Sequence, residues 1–108
     1  MSTSTCNADR PQRAPTHPGE VLREDVLPAL GVSITRAASD MGISRMTLHR
    51  LLREQTGVTP AMALRLGRYC GNGPAIWLRL QDAHDLWEAE QKIGDEIARI
   101  PAGKSAAA

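Results

Sequence analysis

Arg45, Met46, His49, Arg50 and Arg53 fall close together in the stretch "GISRMTLHRLLRE", residues 42–54. On a helix of about 3.6 residues per turn they share one arc, and Leu48, Leu51 and Leu52 share the opposite one. Guanidinium groups arrayed in this way donate paired hydrogen bonds to planar acceptor edges and to anions. Ser44 and Thr47 add short hydroxyl donors at the start of the same segment. Met46 adds an apolar contact where water would be a poor neighbour. This is recognition chemistry rather than bond-making chemistry. No nucleophile stands beside a base, and no glycine-rich loop could cradle a phosphate, so no catalytic residue is expected. Asp82, His84 and Asp85 are near neighbours, but adjacent residues on a helix do not face one site. His17, His49 and His84 do not fall at ligand spacing with Cys6 or Cys70, so neither a metal nor another cofactor is expected.

Several helices must hold that arc in place. The chain has 108 residues, the size of one small domain, with two Trp, one Tyr and no Phe. Its core therefore has to come from Leu, Ile, Val, Met and Ala. Period-2 alternation is missing, and helix punctuation recurs along the chain. His17-Pro18 opens a first helix with Val21, Leu22, Val26 and Leu27 on its inner face, and Pro28 is expected to end or kink it before Gly31. Ser33 caps a second helix from Ile34 to about Met41, and Gly42 stops it. Ser44 caps a third, running to about Gln55. Thr59-Pro60 opens a fourth to about Tyr69. After "GNGP" a fifth runs from Pro74 to about Glu90, and "IGDEIARI" suggests a short sixth. The expectation is an all-α domain of five to six helices with flexible termini. Its divisions are a disordered tail over 1–15, the folded domain over 16–93, and a short helix with a flexible tail over 94–108.

The second and third helices, joined through Gly42-Ile43-Ser44, match a helix-turn-helix. Ala38 is small where the two helices approach, Gly42 suits the turn, and Ile43 plugs the turn into the core. Leu48 and Leu51 face inward with Leu52. The basic arc is then turned outward on the helix that such motifs lay in the DNA major groove. Arginine pairs with guanine O6 and N7, and a methionine can touch a thymine methyl. The plainer reading is a solvated basic face; the turn glycine, Ala38 and an outward Met46 weigh against it. The DNA-contacting set is Ser44, Arg45, Met46, Thr47, His49, Arg50 and Arg53.

Four segments together carry a family resemblance: "HPGEVLREDVLPALGVS", "ITRAASDMGISRMTLHRLL", "GVTPAMALRLGRYCG" and "AIWLRLQDAHDLWEAE". Across about residues 16–90 the chain resembles the HigA-type addiction-module antitoxins, a VapI-like branch of the Cro/repressor-class helix-turn-helix proteins. The resemblance implies a homodimer that binds a palindromic double-stranded operator and represses its own operon. It also implies a protein partner, a HigB toxin of the RelE-like, mRNA-cleaving kind. Two positions depart from the family pattern. The family usually has a polar residue, often Gln, after the Ser33 cap, where this chain has Ile34. It usually closes the third helix with Asn-Gly, where this chain has Arg53-Glu54. A stand-alone regulator of the same fold, without a toxin, is the alternative.

Charge is segregated along the chain. From Ser33 to Arg68 six arginines face Asp40 and Glu54; from Ile76 to Ile97 six acidic residues face Arg79 and Lys92. A basic middle suits a polyanion, and an acidic end suits a different partner. Trp77 reads as core. Leu80, Leu86 and Trp87 are the expected dimer interface, since two recognition helices about 34–36 Å apart read a palindrome. With no signal-peptide core and no membrane-length apolar run, the expected location is the cytoplasm. The two cysteines, far apart in sequence, suggest no structural disulfide.

Overall fold

The first helix starts on a side-chain cap. His17 Nδ1 accepts the Gly19 amide at 2.9 Å, and Pro18 takes the first helical position. The computed structural model describes residues 14–103, among which the regular elements are all helices. Helix α1 comprises Pro18–Val21, Leu22–Val26 and Leu27–Leu30 end to end; α2 is Ile34–Met41, α3 Arg45–Leu52, α4 Pro60–Cys70 and α5 Pro74–Ala98. The first thirteen residues, with Cys6 and most of the expected N-terminal tail, lie outside the described residues, as do residues 104–108.

Pro28 does not end α1. The chain widens into a π turn over Leu22–Val26, with the Leu27 amide reaching Leu22 O, and then continues to Leu30. Proline cannot supply the bond that the Glu24 carbonyl would receive in a regular helix, and the wider turn absorbs that loss. Packing benefits as well. Residues five apart diverge by about 140° on a regular α-helix, yet Leu22 and Leu27 are only 1% and 8% exposed. The π turn brings both onto the inner face.

Ser33, Ser44 and Thr59 each cap a helix, accepting the amides of Arg36, Thr47 and Met62. Gly42, at φ 72°, ends α2 by returning the Gly42 and Ile43 amides to Ser39 and Ala38 carbonyls. Helix α3 is shorter than its pattern suggested. It stops at Leu52, and Arg53, Glu54 and Gln55 turn back with their amides on His49, Leu51 and Arg50 carbonyls. Glu54 holds the left-handed position of that turn at φ 61°, the conformation that glycine or asparagine supplies most easily. Helix α5 is kinked: two helical stretches meet at Ile93 (φ −124°, ψ 18°), so the short helix expected of "IGDEIARI" is present as the segment after the kink, to Ala98.

Leu22 and Leu27 from α1, Ala37, Ala38 and Met41 from α2, Leu48, Leu51 and Leu52 from α3, Ala63 and Leu66 from α4, and Trp77 from α5 form one core. Helix α4 packs mainly on α5, α2 on α3 and α4, and α1 on α3 and α5. Trp77 is buried, and its indole N–H donates to Asn72 Oδ1 at 3.0 Å. Buried Gln81 accepts the Val58 amide at 2.7 Å and donates to Asp85 at 2.9 Å, so it ties the loop after α3 to α5.

Candidate nucleic-acid interface

Helix α3 is held from below by Leu48, Leu51 and Leu52, all 4% exposed or less. That leaves Arg45, Met46, Arg50 and Arg53 exposed and His49 half-buried. With Gln55 they line a shallow concavity of about 480 Å³. Met46 is 60% exposed. The structure thus brings together the arc expected from the helical spacing. The two hydroxyls divide their roles. Ser44 Oγ takes the Thr47 amide at 3.0 Å and donates its own proton to Thr47 Oγ1 at 2.8 Å. Ser44 is committed to the cap, which leaves the exposed Thr47 hydroxyl with the outward proton.

The arginines of the basic middle are not equivalent. Arg36 pairs with Asp40 at 3.1 Å along α2. Arg65 donates to the Met41 carbonyl at 2.6 Å. Among the described residues the ion pairs are made by Arg23, Arg36 and His84, and none by Arg45, Arg50 or Arg53. Among the described residues, the arginines of the basic middle with neither an ion pair nor a carbonyl partner are Arg45, Arg50 and Arg53 on the outward arc of α3, and Arg68 on α4. Glu54, at the end of the same segment, is folded back to 3.4 Å from Arg23. Ile34, at the other departure from the family pattern, packs against the core.

Several contacts escape a linear reading. His17 and His84 lie far apart in sequence but meet edge to face, with ring centroids 4.9 Å apart. His84 Nδ1 lies 3.1 Å from Pro15 O and its Nε2 3.3 Å from Glu88, so Pro15 is held against α5 rather than belonging to a loose tail. Burial first, and then the neighbouring His84, push the His17 pKa below its ordinary 6.5. Burial pushes the Cys70 thiol up, which keeps it a protonated packing group. Asp40 accepts the Tyr69 hydroxyl at 2.9 Å and so joins α2 to α4. The His17–His84, His84–Pro15 and Tyr69–Asp40 pairings have no fixed sequence spacing that would announce them.

The expected interface on α5 separates into two faces. Leu80 packs against the core and Trp87 is half-buried, whereas Leu86 is 67% exposed. Beyond it Ile93, Ile97 and Ile100 are 41%, 49% and 61% exposed. Leu86 lies opposite the stripe of Trp77 and Gln81, and Ile93 and Ile97 lie at and beyond the kink.

No family model matches the chain. Individual proteins do. Virulence-associated protein I of Dichelobacter nodosus is 44% identical over 75 residues, covering 69% of this chain and 69% of that protein. The helix-turn-helix transcriptional regulator YddM of Escherichia coli is 40% identical over 83 residues, covering 77% and 85%. The Pseudomonas aeruginosa antitoxin HigA, solved with the higBA promoter, superposes with a TM-score of 0.77 at 35% identity, over 81% of this chain and 96% of that one. The chain belongs to the HigA-type family of helix-turn-helix antitoxins. Among the described residues no helix is long and apolar enough to cross a membrane.

Proposed function

We propose that this HigA-type chain is a repressor that reads a palindromic operator, that of its own operon, by laying α3 in the major groove. The observation that carries the reading is the exposed arc of Arg45, Met46, His49, Arg50 and Arg53, unpaired with other described residues and presented by a buried leucine face. Arg45 and Arg50 read base edges, Met46 contacts an apolar base edge such as a thymine methyl, and Thr47, His49 and Arg53 contact the backbone. Because one helix reads few base pairs, the protein acts as a homodimer, with the exposed face of α5 around Leu86 as its contact. The same chain neutralises a RelE-like toxin.

The test is binding by fluorescence anisotropy to a duplex from the DNA upstream of its own gene and to a random duplex. Arg45→Ala and Arg50→Ala should each cost ~1–3 kcal/mol on the first duplex and relax preference at one base position. Equal losses on both duplexes would reduce these arginines to phosphate contacts. A second reading, a stand-alone regulator without a toxin, is favoured by the similarity to YddM, whose name describes a transcriptional regulator. Co-purification with the product of a small neighbouring reading frame separates the two. Failure of that product to bind removes the antitoxin role and leaves the repressor.

A further inference from the structure

We propose that Arg23 and Arg65 are positioning residues that clamp the two ends of the helix-turn-helix and set how α3 projects. The proposal rests on the reading of α3 as the DNA-facing helix. It begins from the carbonyls that a helix C-terminus leaves without partners. At the end of α2, Ala38 and Ser39 carbonyls are taken by the Ile43 and Gly42 amides. The Met41 carbonyl is taken instead by Arg65 Nη1 from α4, at 2.6 Å, and the same nitrogen lies 3.5 Å from Gly42 O. At the end of α3, the His49, Arg50 and Leu51 carbonyls are taken by the turn amides. The Leu52 carbonyl is taken by Arg23 Nη1 from α1, at 2.6 Å.

Each helix of the motif therefore ends on an arginine from outside the motif, and each arginine meets the negative end of a helix dipole. Both bonds are half-buried, where a charge-assisted bond is stronger than in open water. Glu54 adds to one clamp: its left-handed backbone turns its carboxylate to 3.4 Å from both Arg23 Nη atoms. Arg23 itself sits in the π turn of α1, so the irregularity before Pro28 and the hold on α3 occur in the same segment. With the clamps released, α2 keeps the packing of Ala37, Ala38 and Met41 and α3 that of its leucines, but their C-terminal ends lose the tether to the flanking helices. Arg65 is thereby withdrawn from the charge available to phosphate, although by sequence it belongs to the basic middle.

The experiment compares Arg65→Met, Arg23→Met and the conservative Arg65→Lys and Arg23→Lys in the full chain. Each is assayed at a temperature where circular dichroism shows it fully folded. The duplexes are the upstream-gene sequence and a random sequence, across a range of salt. The methionine variants should lose about fivefold or more on the upstream duplex, the scale of one impaired base contact. Random-duplex affinity and the slope of log affinity against log salt should stay at wild-type values, and lysine should recover part of the loss. A slope smaller by about 0.9, with equal losses on both duplexes, would make the arginine a phosphate ligand and overturn the proposal. Unchanged affinity of the folded methionine variants would overturn it as well. If the wild-type protein binds neither duplex, the DNA reading itself fails. Amide hydrogen exchange then still decides the clamp: faster exchange at Ile43 in Arg65→Met and at Gln55 in Arg23→Met supports it, and wild-type rates overturn it.

Discussion

Gly19→Ala should destabilise the protein far more than its chemistry suggests. Gly19 sits near the N-terminus of α1, where alanine is ordinarily the better helix former. Here a Cβ at that position would stand 2.0 Å from the Leu51 carbonyl oxygen of α3, and 3.1 Å from both the Leu51 carbonyl carbon and His17 Nδ1. An ordinary carbon–oxygen contact is about 3.3–3.6 Å, so α1 and α3 would have to separate by more than an ångström. The obstructing atom is backbone in a helix whose Leu48, Leu51 and Leu52 are buried, so no side chain can swing aside. Strain of this kind costs ~1–3 kcal/mol, and a backbone clash belongs at the upper end. For a domain of this size each kcal/mol shifts the midpoint by about 4–8 °C. The melting temperature should therefore fall by roughly 10–20 °C in a circular dichroism melt. Gly94→Ala is the control, because a Cβ there meets nothing within 4 Å; it should be neutral or stabilising, by up to about 1 kcal/mol. If Gly19→Ala melts with the wild type, or if the two variants fall equally, the reasoning from close approach is wrong.

Two further outcomes follow from the same contacts. The unfolded chain protonates His17 near 6.5, whereas the folded chain does so only at lower pH. Stability should therefore be full above that value and fall as pH drops through it. His17→Asn keeps an N-cap acceptor, and urea melts at pH 7.5 and 5.0 should show a smaller loss than the wild type; equal losses would clear His17 of the effect. Leu86→Glu places a charge on the exposed face of α5 and should convert the proposed homodimer to monomer in light scattering. An unchanged dimer would exclude this face from the interface.

Local signals made much of this fold legible. Ser33, Ser44 and Thr59 cap helices because a hydroxyl before an apolar-periodic run satisfies an orphan amide whatever the rest of the chain does. The outward arc of α3 follows from helical spacing once Leu48, Leu51 and Leu52 are taken as inward. Ends and exceptions were less legible. Pro28 was absorbed by a π turn because burying both Leu22 and Leu27 outweighed the regular geometry. Leu86 and Leu80 look alike in sequence, yet one is exposed and the other packs, because only one faces the rest of the domain.

Residue order alone makes the chain helical, marks where most helices start, and puts a basic arc with an outward methionine on a helix behind a tight turn. Those properties depend on residues within a few positions of one another. Tertiary packing set how the surrounding charges are used. It drew Arg65 to the Met41 carbonyl and Glu54 to Arg23. It also placed Gly19 against Leu51 and His17 against His84. Each of these depends on a close approach between segments separated in sequence, and such approaches are set by the packing of the whole core.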